Sequence, residues 1–111
     1  MPPEPYPELG TMQERKVPLR NGEGSGYVVP LGPVNLVWVI ATKGMVGCGA
    51  FDVLALEKFG YPASRVRSKT GSSIGSLDDL LLGIVREANP SAERHGVRTG
   101  MSGKEALDLL S

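Results

Sequence analysis

Residues 35–52 read Asn-Leu-Val-Trp-Val-Ile-Ala-Thr-Lys-Gly-Met-Val-Gly-Cys-Gly-Ala-Phe-Asp, and the fold follows from how they are divided. Leu36 to Ala41 is an unbroken apolar run, largely β-branched or aromatic, which predicts a strand over Asn35–Thr42. Continuous apolarity places it in the middle of a sheet with both faces covered. Lys43-Gly44 reads as a two-residue hairpin turn, so Met45–Cys48 becomes the next antiparallel strand. A helix is then expected from about Ala50 to Phe59, with Phe51, Leu54, Ala55 and Phe59 on one face and Val53 and Leu56 widening it. Gly60 stops it and Pro62 prevents continuation.

Upstream, Gln13 to Leu19 alternates weakly and tolerates Pro18, which suits an edge strand. Asn21-Gly22-Glu23-Gly24-Ser25-Gly26 reads as a glycine-rich hairpin loop, Gly26–Leu31 as the returning strand, and Gly32-Pro33 as a second turn. Downstream, Ala63–Ser68 is a short strand. Ser76 caps a helix whose stripe is Leu77, Leu80, Leu81, Ile84 and Val85. Asn89-Pro90 opens a helix ending at Gly96, Val97–Thr99 is a small strand, and Ser102-Gly103-Lys104-Glu105 is a capping box for the last helix. The expected architecture is α+β, a mainly antiparallel sheet with three or four helices packed on one face.

The chain has 111 residues, 12 basic and 12 acidic, which suits one domain over 11–111 and disfavours a nucleic-acid partner. The lone Cys48 excludes a disulfide framework, and with the lone His95 it leaves no metal site of several Cys or His ligands; no cofactor is implied. No run reaches the ~18 apolar residues of a membrane helix, and residues 1–10, with four prolines, read as a flexible tail and not a signal peptide. A cytoplasmic protein is expected.

Chemistry has one place to sit. Gly47-Cys48-Gly49 falls where a strand hands over to a helix, so the helix amides would favour a thiolate, and the glycines would leave the sulfur bare. Asp52 would orient a substrate, and Lys43 would add positive charge. The loop Ser68–Gly75, with Thr70 and Ser72, ends at a helix start and reads either as a candidate anion-binding lip or, the favoured reading, as a mobile polar connection. The expected ligand is a small anionic or carbonyl-bearing molecule at this turn, with thiol chemistry at Cys48. The competing reading is a non-catalytic interaction or structural module in which Cys48 is a core residue and Asp52 only complements the helix. His95, beside Gly96, reads as a surface residue. Self-association into a homo-oligomer would hide apolar residues left over from a thin sheet-and-helix layer.

NLVWVIATKGMVGCGAFD, SLDDLLLGIVREANPSAERHGV and GMSGKEALDLL resemble the YunC-like family of small bacterial and archaeal domains of unknown function. The likeness covers about residues 34–111. Its most specific pieces are Cys48-Gly49 with Asp52, and Gly100-Met101-Ser102-Gly103. It implies a sheet packed on helices and carries over no catalytic residue.

Overall fold

The computed structural model describes residues 12–111, and the stretch read as a tail lies outside them. Six strands make one sheet in chain order: β1 (Gln13–Leu19), β2 (Gly22–Leu31), β3 (Val34–Ile40), β4 (Met45–Gly47), β5 (Ala63–Arg67) and β6 (Ile84–Ala88). All neighbours are antiparallel except β4 and β5, which run parallel through the crossover helix α1 (Val53–Glu57). The other helices are α2 (Leu77–Leu82), α3 (Pro90–Arg94) and α4 (Gly103–Leu110). The α+β class and the mainly antiparallel sheet are as expected.

Strand alternation sorts the side chains onto two faces. On the inner face Val17, Val28, Val37, Val39 and Val46 are buried, and Leu77, Leu80, Ala106, Leu107 and Leu110 of α2 and α4 close over them. On the outer face Met45 and Ala63 pair across β4 and β5, and Val53 of α1 packs against them in a smaller cluster. Thus α1 stands across the sheet from α2 and α4.

Several sequence expectations are corrected. The glycines of 21–26 are not a loop: the turn is Arg20-Asn21, and Gly24 and Gly26 lie inside β2. A Cβ on Gly26 would stand 2.8 Å from a Leu77 methyl, so this glycine lets α2 settle on the sheet. The α1 helix is only five residues long and buries Val53, while Leu54 and Phe59 are exposed. The α2 stripe stops at Leu82, because Gly83 leaves helical geometry (ψ 172°) and Ile84 and Val85 become β6. Val97–Thr99 forms no strand. β3 is interior, yet Val34 and Ile40 are 53% and 41% exposed, so one of its faces is only partly covered.

The termini of the helices match the sequence closely. Ser76, Asn89 and Ser102 each accept a backbone N–H at their helix start, and Ser102 and Glu105 complete the reciprocal capping box.

Candidate functional site

Cys48 continues β4 by one residue, and alternation turns it to the same face as Val46. Its side chain joins the main core and is 6% exposed. Its N–H donates to Val37 O at 2.9 Å, which holds it in the sheet. The expectation of a bare sulfur is therefore corrected. Gly47 faces the other way and is capped by the Phe51 ring, so the space a Cβ would take is filled by an aromatic side chain. Gly49 is exposed and leads into the turn that places Phe51.

Asp52 is exposed and is the N-cap of α1: its Oδ1 accepts from Ala55 N–H at 3.0 Å. Lys43 lies before the start of β4, and Cys48 lies past its end, so ~15 Å of strand separates them. Lys43 N–H instead donates to Leu110 O at 2.8 Å. Thr70 and Ser72 sit in the loop after β5, which leaves the sheet at the Cys48 end. Their hydroxyls bond to each other at 3.3 Å, and Thr70 also bonds Ser68. Ser68, Lys69 and Thr70 line a shallow cavity of ≈ 190 Å³ with Asp79 and Leu82. The sequence-predicted residues thus form no single constellation. His95 is exposed at the C-cap of α3.

What sequence reasoning missed is on the outer face. Register places Glu14, Tyr27, Trp38, Gly47, Arg65 and Glu87 side by side across all six strands. Tyr27 O–H donates to Glu14 at 3.3 Å. Tyr27 and Trp38 stack at 5.1 Å, and Phe51, over Gly47, meets Trp38 edge-on at 5.7 Å. Arg65 and Glu87 pair at 2.8 Å. Flanking this row, Leu31, Val34 and Ile40 point the same way and are 41–53% exposed. Because the α1 cluster covers β4 and β5 and reaches no further than Trp38 of β3, the exposed Leu31, Val34 and Ile40 lie beyond it on this face. A second cavity, ≈ 320 Å³, opens on the opposite face between β1–β3 and the start of α2. Cys48 lines neither cavity.

A family described as "Domain of unknown function (DUF1805)" matches residues 47–110. The chain belongs to the DUF1805 family. The expected kinship with a family of small domains of unknown function is borne out. No curated protein matches the chain. Among solved structures, it is similar to a protein of unknown function, TA1206, from Thermoplasma acidophilum, with 26% identity, a TM-score of 0.79, and coverage of 91% of this chain and 94% of that one. Coverage of 91% reaches well beyond the DUF1805 match, so the shared fold includes sheet residues ahead of Gly47.

Within the DUF1805 match lies a polar junction that joins α1, β5 and α3. Asn89 is fully buried. Its Oδ1 accepts from Ala63 and Ala92 N–H, and its Nδ2 donates to Val53 O and Tyr61 O, so every hydrogen-bonding position is used. Beside it, Glu57 accepts from Ser91 N–H and Oγ–H at 2.8 and 2.9 Å. The Ser91 amide holds the Glu57 carboxyl below its ordinary value, with Arg94 adding to this, and the pull exceeds the opposing effect of burial. Burial raises the Tyr61 phenol. These groups are positioned for structure: Asn89 bonds only to backbone, and Glu57 bonds to Ser91 and Arg94 of α3. Among the described residues, no three His, Cys, Asp or Glu side chains are grouped to hold a metal ion, and no helix is long and apolar enough to cross a membrane.

Proposed function

We propose that the domain works by docking and not by thiol chemistry, with the open half of the outer sheet face as its working surface and a second copy of the chain as occupant. The carrying observation is the Tyr27–Trp38–Phe51 aromatic row flanked by Leu31, Val34 and Ile40 on one face. Stacked aromatics amid exposed aliphatics supply the anchors on which association surfaces rest.

The sheet edges support a face-on contact. β1 carries Glu14, Arg15, Lys16 and Pro18, which discourage strand addition. β6 is covered by the 100–102 segment, through Val85 N–H to Met101 O and Gly100 N–H to Val85 O. Charge favours a like partner. The chain carries 12 charges of each sign, so copies do not repel at long range. Glu14 and Lys16 border the patch on one strand, two residues apart, so a two-fold axis can set each against its opposite.

The contending reading, a small anionic or carbonyl-bearing ligand at Gly47-Cys48-Gly49 with Cys48 and Asp52 as reactive groups, is separated by two measurements. Sedimentation across the micromolar range is expected to show a concentration-dependent dimer in the wild type and a monomer in Val34→Glu, whose side chain is already exposed. Cys48 is expected to label slowly until the protein is denatured. A monomer at all concentrations sinks the docking proposal. Rapid native labelling with an apparent pKa well below ~8.5 restores the thiol reading.

A further inference from the structure

The ≈ 320 Å³ cavity on the helix-covered side is lined by Gln13, Arg15, Asn35, Ser76, Asp78 and an apolar floor of Val28 and Leu77. It lies on the other side of the sheet from the docking surface, and nothing in the proposed function uses it.

Its walls carry charges of both signs at one mouth. Arg15 Nη2 stands 3.5 Å from Asp78 Oδ1, with side chains 56% and 80% exposed. A pair so open to water is held weakly, so a guest can separate it at little cost. Asn35 Nδ2 donates to Gly75 O at 2.9 Å, which ties the start of α2 to β3 and leaves the Asn35 Oδ1 as an acceptor. Ser76 Oγ is engaged by Asp79 N–H, and Gly75 N–H is taken by Asp79 Oδ2 at 3.0 Å. The Gly75 and Asp79 amides are thus already engaged, and the charged groups that line the cavity are side chains. They offer a cation and an amide on β1 (Arg15, Gln13), and an anion and an amide oxygen on the α2 and β3 side (Asp78, Asn35). At ~30 Å³ per water the cavity accommodates about ten water-sized atoms.

From this polarity we infer that the cavity binds a small zwitterion of the α-amino-acid class. Its carboxylate would bridge Arg15 and Gln13, its ammonium would bridge Asp78 and the Asn35 Oδ1, and an aliphatic side chain would rest on Val28 and Leu77. A plain carboxylate would leave Asp78 facing an uncompensated anion, and a plain amine would leave Arg15 with no new partner.

The test is a titration of the full chain with L-leucine, followed by amide shifts in ¹H–¹⁵N spectra, with 4-methylpentanoate and 3-methylbutylamine as single-charge comparators. Shifts are expected at Gln13, Arg15, Asn35 and Gly75–Asp78, saturating in the millimolar range. Each comparator is expected to bind about two- to fivefold more weakly, as are Arg15→Gln and Asp78→Asn, since each loses an ion pair to a solvent-exposed charge. Both variants alter exposed side chains, and Val34→Glu is expected to bind leucine normally. Absence of saturable shifts, equal binding by the carboxylate alone, or undiminished binding by Asp78→Asn overturns the inference.

Discussion

Replacing Asn89 by Asp tests whether the buried junction between α1, β5 and α3 depends on donors or merely on shape. Asp retains an acceptor for Ala63 and Ala92 N–H and is an equally good N-cap. The second carboxylate oxygen, however, replaces a donor that stands 2.9 Å from Val53 O and 2.8 Å from Tyr61 O. One new acceptor then faces two carbonyl acceptors, so three oxygens lack a donor, in a site with no solvent exposure. With ~1–3 kcal/mol for each of these three groups left unpaired, the variant should lose roughly 3–9 kcal/mol at pH 7. That is a large share of the ~5–15 kcal/mol that holds a domain of this size. Protonation would restore one donor, so the folded-state pKa of the new carboxyl is raised above its unfolded value of ~3.9. The proton's stabilisation is fully present below the unfolded value and is lost as pH rises through the folded one. The deficit against wild type should therefore narrow as pH is lowered from 7 to 4, while the deficit of Asn89→Ala should not. Urea unfolding followed by the single tryptophan, Trp38, measures both. If Asn89→Asp matches the wild type within ~0.5 kcal/mol at pH 7, or its deficit is flat with pH, the donor argument is wrong.

Other perturbations act on single features. Glu57 and Asp108 both titrate below their ordinary values: Glu57 chiefly through the Ser91 amide, and Asp108 because bonds from Lys104 and the Arg20 amide outweigh burial, which raises it. Their contribution is present above the ordinary values of 4.5 and 3.8 and is lost as pH falls through the lowered ones. Acid titration of Glu57→Gln should therefore show a shallower acid limb than the wild type. Gly103→Ala drives a Cβ into the Leu80 carbonyl, a backbone atom that cannot swing aside. The expected cost is at least ~1–3 kcal/mol, read as a lowered urea midpoint with unchanged slope. Cys48→Ser buries a hydroxyl where the sulfur packs on hydrocarbon, and should cost ~1–3 kcal/mol more than an exposed Ser substitution.

Much of the fold is local and could be read from the chain. The apolar strand that begins near Asn35 and the capping residues Ser76, Asn89 and Ser102 act through neighbours a few positions away, and the structure agrees with each, while the reversal expected at Lys43-Gly44 is corrected to Thr42-Lys43, because Ala41 N–H donates to Gly44 O. The errors have a common cause. Ile84 and Val85 fit a helical stripe as well as they fit a strand, and only packing against β5 decides between them. Gly26 looks like a loop residue until Leu77, about fifty positions away, needs its missing Cβ, and Gly24 looks like one until Val39, Ile40 and Leu19 close on the same space. The wide apolar face expected for α1 failed because a five-residue crossover has room for one buried position, Val53.

The candidate sites were harder to read, for a geometric reason. Gly47-Cys48-Gly49 is contiguous, so it attracted a chemical interpretation, yet a one-residue alternation decides whether a strand side chain meets solvent or core. Val46 and Cys48 share the inward phase, and the sulfur follows the valine into hydrocarbon. The same alternation turns Tyr27 and Trp38 outward together, although eleven residues separate them, and sets Glu14 and Glu87 at the two ends of one row. Each of those residues alone is unremarkable in the chain: a Trp in an apolar strand, a Tyr after a glycine, an Arg near another Arg. Their meaning as a surface arises only from six strands in register. Surfaces built across a sheet are for that reason the part of a small β-rich domain that a linear reading reaches last.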